Sequence, residues 1–135
     1  MFLCLYLEFI LPCAKLPVTF YKSADRLPEF TDYSMKGRTY RYIKDNENVL
    51  YPFGYGLSYS RTEVTDLQYE NGKAKVTYKN TGSFDTQDVI ELYIRAEDAG
   101  CNENYHLCGF ARVSTKAGQE GSAEIEIDDK AFTFV

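Results

Sequence analysis

Residues 71–95, NGKAKVTYKNTGSFDTQDVIELYIR, run through two alternating segments separated by a polar break. In the first, Ala74, Val76 and Tyr78 alternate with Lys73, Lys75, Thr77 and Lys79, the period of two that places one face of a strand in a core and the other in water. In the second, Ile90, Leu92 and Ile94 alternate with Glu91, Tyr93 and Arg95 in the same way. Asn71-Gly72 is a dipeptide that tolerates positive φ in a tight hairpin, and Asn80-Thr81-Gly82 marks a second reversal. Working outward, SAEIEID sets Ala123, Ile125 and Ile127 against Glu124, Glu126 and Asp128, with a turn at Ala117-Gly118 before it. Weaker strands are expected near 62–69 and 107–115. Short strands at this spacing predict an all-β protein, an immunoglobulin/fibronectin type III-like antiparallel β-sandwich. Nothing with a period of 3.6 competes, and no internal repeat is visible.

The part before residue 60 is of another kind. KLPVTFY reads as a buried strand, DRLPEFTDYSMKG as a Pro-punctuated loop, and residues 37–60 as an irregular connector dense in rings. The start, MFLCLYLEFILPC, is apolar, but no Lys or Arg precedes the run, Glu8 interrupts it, and Pro12 before Cys13 is a poor cleavage context. A signal or lipoprotein leader and a buried strand are the two readings of it, and no convincing signal peptide emerges. As a helix the run is about half the roughly 20 residues that span a bilayer, so no membrane span is expected.

At 135 residues the chain fits one domain that buries about two thirds of its unfolded surface. A net charge of −5 argues against a phosphate-binding surface, so nucleic acid is not an expected partner. Cys4, Cys13, Cys101 and Cys108 have mixed spacing and read as free thiols. Cys101, His106 and Cys108 fall within eight residues and are all metal-ligand types, but their spacing matches no zinc framework, so neither a metal nor a cofactor is expected. The bland reading of that segment is a polar loop entering a strand with Leu107 and Cys108 buried.

With these residues in hand, a resemblance emerges. LPVTFY, then LPEFTDYSMKGRTYRY, then LYPFGYGLSYS are similar, in order and spacing, to the landmarks that close the α/β domain of family 3 glycoside hydrolases, the β-glucosidase and β-xylosidase family, and lead into its fibronectin type III-like domain. VTYKNTGSFDTQDVIELYI and LCGFARVSTKAGQE resemble that domain's own strands. The resemblance runs from about Ala14 to the end, about nine tenths of the chain. It implies three regions: 1–15, an apolar segment unlike the family; 16–58, the tail of the α/β domain and the interdomain connector; and 59–135, the sandwich, expected to lack its last strand because members continue past AFTFV. On this reading the sequence is a truncated gene product. Parent enzymes are often periplasmic or secreted.

The resemblance also implies what is missing. Retaining glycosidases need a nucleophilic carboxylate about 5 Å from an acid/base carboxylate, and in the family both lie upstream of this region. Asp25, Glu29, Asp32, Asp45 and Glu47 sit in turn-rich sequence and read as solvated charges, so no catalytic residue is assigned. The candidate site residues are aromatic: Tyr40, Tyr42, Phe53, Tyr55 and Tyr59, serving either as packing between two domains or as a stacking surface for carbohydrate. Gly37, Gly54 and Gly56 would permit the turns between them. If a domain that normally covers these rings is absent, self-association or docking to a glycoside hydrolase domain is expected, as a dimer or larger assembly with the N-terminal segment at the contact.

Overall fold

The structure is a computed structural model and describes residues 13–25, 27–44, 46–97 and 103–133. Among the described residues seven strands run in the order β1 (Phe20–Tyr21), β2 (Val49–Tyr51), β3 (Thr62–Glu70), β4 (Lys73–Asn80), β5 (Thr86–Ile94), β6 (His106–Thr115) and β7 (Glu120–Glu126). A one-turn helix, α1 (Thr39–Tyr42), precedes β2, and a 3-10 turn at Asp129–Phe132 follows β7. Strands β3, β4 and β7 form one antiparallel sheet in the order β3-β4-β7, β5 and β6 form a second, and β1 and β2 form a two-stranded ribbon.

The core lies between the two larger sheets. Alternation along β4 buries Ala74, Val76 and Tyr78, which meet Ile125 and Ile127 beside them and Ile90 and Val113 from the facing sheet. Close approach of the sheets depends on Gly109, where an added Cβ would lie 2.4 Å from Ile125 Cγ2. The β3–β4 reversal is the one its dipeptide predicts: Asn71 has φ 52° and Gly72 has φ 77°.

Asn80 ends β4 and is fully buried. Its side chain is completely used: Oδ1 accepts from Ser60 Oγ at 2.6 Å and from the Gly82 N–H at 3.0 Å, while Nδ2 donates to the carbonyls of Phe84 at 2.7 Å and Thr115 at 3.3 Å. Its own N–H donates to Gln119 O, and its carbonyl accepts from Gly118 N–H. The chain crosses between the sheets twice, after β4 and after β6, and this one amide fastens both crossings. Polar groups are buried at low cost when every donor and acceptor is met, as here.

Strand β3 differs from the other long strands. Val64, Leu67 and Tyr69 pair with Tyr78, Val76 and Ala74, so they point to the core face, yet they are 56%, 52% and 53% exposed. The core draws on β4, β5, β6 and β7 and takes nothing from β3. Only Phe132, with its ring 5.9 Å from that of Tyr69, lies near this stripe among the aromatic pairs of the described residues.

Two expectations are corrected. KLPVTFY is not a buried strand: only Phe20 and Tyr21 are extended-paired, and Val18 and Phe20 are about half exposed. The segment is apolar, but nothing among the described residues covers its outer side. In β6, Leu107 is not a core position. A register shift opposite Leu92 and Tyr93 turns it toward the connector, whereas Cys108 packs against the core and its Sγ donates to Leu92 O at 3.1 Å.

Candidate functional site

The irregular N-terminal extension, residues 14–60, is laid across the outer face of the β5–β6 sheet, and the rings form the seam between the two. Tyr40 stacks on Phe53 with centroids 4.2 Å apart, and both meet Tyr93 of β5 edge-on, at 6.1 and 6.4 Å. Tyr105 closes the group, 5.5 Å from Tyr40 and 5.3 Å from Tyr93. The Tyr40 hydroxyl accepts the Leu107 N–H at 3.0 Å, taking a backbone donor at the register shift in β6. Gly54 is required twice over: its φ is +78°, and a Cβ there would stand 2.3 Å from Glu91 Oε2 and 2.7 Å from the Tyr93 hydroxyl. Those two groups are bonded to each other, Tyr93 donating to Glu91 at 2.7 Å. Burial first, and then that bond to a carboxylate, raise the Tyr93 pKa far above the usual phenol value.

Polar contacts fix the edges of the seam. Lys15 pairs with Asp88 at 3.1 Å, Ser58 and Thr86 share a hydroxyl bond of 2.9 Å, and Asn104 N–H donates to Arg41 O at 2.6 Å. Arg41 of α1 reaches the buried Glu103, which also takes His106 Nδ1 at 3.1 Å, while His106 Nε2 meets Ala131 O at 2.7 Å. Burial of Glu103 pushes its pKa up, but the bond and charge of Arg41 and then His106 outweigh it, so the carboxyl is held below its usual value. Arg41 is raised in turn, chiefly by its bond to Glu103.

The five aromatic residues singled out from sequence do not form one group. Tyr40 and Phe53 are the centre of the seam; Tyr55 is half-buried against Tyr51, 4.8 Å away; Tyr42 is half-buried with the Arg41 guanidinium 5.8 Å above its ring; Tyr59 is 53% exposed and has no ring contact among the described residues. Tyr93, Tyr105 and the Arg41–Glu103–His106 chain were not found by sequence reasoning. A signal existed for Tyr93, a ring standing where the outer, polar face of an alternating strand was expected. Asp25, Glu29, Asp32 and Glu47 are exposed, and Asp45 lies outside the described residues. The Ser34 N–H, bonded to Asp32 at 2.8 Å, holds that carboxyl below its usual range. Cys13 and Cys108 are free thiols; Cys4 and Cys101 lie outside the described residues. Burial raises the Cys108 pKa. Among the described residues no cluster of His, Cys, Asp and Glu could hold a metal, and no helix is long and apolar enough to cross a membrane.

A cleft of about 320 Å³ opens at one end of the seam, between α1, β2, the end of β5 and the segment leading into β6. Tyr40 and Tyr105 form part of its wall.

No protein-family model matches the chain. A xylan 1,4-β-xylosidase of Xylanibacter ruminicola is 40% identical over 129 residues, covering 91% of this chain and 15% of that protein. A periplasmic β-glucosidase of Salmonella typhimurium is 31% identical over 142 residues, covering 91% of this chain and 19% of that protein. A β-D-glucoside glucohydrolase of Trichoderma reesei superimposes with a TM-score of 0.80 at 21% identity, over 98% of this chain and 23% of that structure, a likeness of fold. The chain corresponds to the C-terminal part of a family 3 glycoside hydrolase. It spans 15% and 19% of the length of the two curated relatives.

Proposed function

We propose that this chain is a non-catalytic, accessory part of a family 3 β-glucosidase or β-xylosidase, acting in carbohydrate metabolism. In this reading residues 16–58 are the connector and residues 59–135 the fibronectin type III-like sandwich. One observation carries it: the extension packs one side on the sandwich and turns large apolar side chains outward on the other, with Val18, Phe20, Leu27 and Leu50 about half exposed and Phe30 and Tyr33 almost fully so. Surfaces of this kind mark contacts with other protein. The partner is the catalytic region of the same family, and copies of the chain alone use the same face to associate.

The test is binding to the catalytic region of a family 3 β-xylosidase prepared without its C-terminal part. Expected are a stoichiometric complex, no hydrolysis of aryl β-glucosides or β-xylosides by the chain alone, and loss of the complex in Phe20→Ser/Phe30→Ser. Light scattering on the chain alone should give more than a monomer mass. A monomer that ignores the catalytic region ends the docking reading. A second reading, carbohydrate binding, is favoured by the half-open Tyr105 beside the cleft, since aromatic faces pack against sugar C–H groups.

A further inference from the structure

The cleft at the end of the seam has a chemistry of its own. Two charged side chains, Lys44 and Arg95, line it, and both are cations in a chain of net charge −5. Neighbouring cations of the seam are engaged: Lys15 by Asp88, Lys22 by Glu47 O, Arg41 by Glu103. Lys44 and Arg95 have no ion-pair partner among the described residues, and no described acidic side chain lines the cleft. A pair of cations in a concave site attracts a carboxylate or another small oxyanion.

The remaining lining narrows the class. Tyr105 is 38% exposed, and its ring is held by Tyr40 and Tyr93, so a flat apolar surface stands ready at no ordering cost. Asn104 is locked by donating Nδ2 to the carbonyls of Tyr40 and Ile43, which leaves Oδ1 as an acceptor. A simple inorganic ion would use the cations and leave the ring unmatched. A neutral sugar would use the ring and leave the cations unmatched.

Resting on the carbohydrate-binding reading, we propose that this cleft binds a uronic acid unit of an acidic saccharide, its carboxylate held by Lys44 and Arg95, its C–H face against Tyr105, and a hydroxyl met by Asn104. The site is specific for acidic sugar because each half of the ligand is matched by a different part of the wall.

The experiment is an NMR titration of the whole chain with sodium glucuronate, glucose and sodium sulfate at constant ionic strength, repeated with Lys44→Gln and Arg95→Gln, both exposed positions. Glucuronate should saturate shifts at Tyr105 and Asn104, with glucose and sulfate each about tenfold weaker or worse, and either variant should weaken glucuronate about tenfold, close to one charge-assisted hydrogen bond. Raising the salt should weaken glucuronate and leave glucose unchanged. Equal affinity for glucose and glucuronate overturns the acidic preference and leaves the carbohydrate reading standing. Sulfate binding as well as glucuronate overturns the saccharide assignment. If none of the three shifts these residues, both the inference and the carbohydrate reading fall.

Discussion

Strands β4 to β7 hide their apolar side chains between two sheets, six of them buried in one cluster together with Ile127 just past β7. In residues 14–60 Ile43 alone is a buried hydrophobic residue among the described ones, and order comes from rings stacked on a neighbouring sheet and from hydrogen bonds at the edges. The first region carries its own core. The second borrows the outer face of the first. Cooperative stability therefore sits in the sandwich, and the extension is a layer that opens at lower cost.

The strongest way to break this contrast is inside the shared core. Ile125→Ala removes a side chain that is 3% exposed and meets Gly109 across the sandwich, so a loss of about 2–5 kcal/mol is expected, with both regions melting together in calorimetry. If the extension outlives the sandwich in that variant, it does not borrow its order. Tyr40→Ala should act on one side only: cleavage within residues 14–60 by dilute protease speeds up about tenfold, about 1.4 kcal/mol of opening free energy, while the sandwich's melting temperature holds. Equal loss from both regions would make the seam part of the core.

A smaller effect comes from acid. The folded-state pKa of Glu103 lies below its usual value of 4.5, so its contribution to stability is present above that value and is lost as pH falls through the folded pKa. Melting temperature should drop below about pH 4.5, and Glu103→Gln should flatten that drop while leaving the extension easier to cleave at neutral pH. A pH profile unchanged by the substitution would remove this link from the seam. Least of all should change in Lys79→Ala, which deletes an exposed pair with Glu120 at 3.7 Å; within about 0.5 kcal/mol is expected by urea unfolding.

Much of the sandwich was legible because alternation writes burial directly: Ala74, Val76, Tyr78, Ile125 and Ile127 were placed on the core side from their period, and they are there. Asn71-Gly72 announced its φ values for the same reason, a local cause. Asn80 was read as turn chemistry and not as the buried fastening of two crossings, since a polar residue gives no sign of how many distant partners it will meet. The seam was half visible. Tyr40 and Phe53 stood out by composition, but Tyr105 and Glu103 lie more than 60 positions from Tyr40 and Arg41, and no local pattern joins them. KLPVTFY shows the converse error, in which apolar character was taken for cover.

The bare stripe on β3 has a thermodynamic consequence. Val64, Leu67 and Tyr69 are already half wet in the folded chain, so unfolding wets less new apolar surface than a sandwich of this length would otherwise expose. Heat-capacity change and denaturant slope both scale with newly wetted surface. The chain by itself thus has a shallow unfolding curve, steepening only when something apolar lies along β3, and that steepening reports occupancy of the stripe without any label.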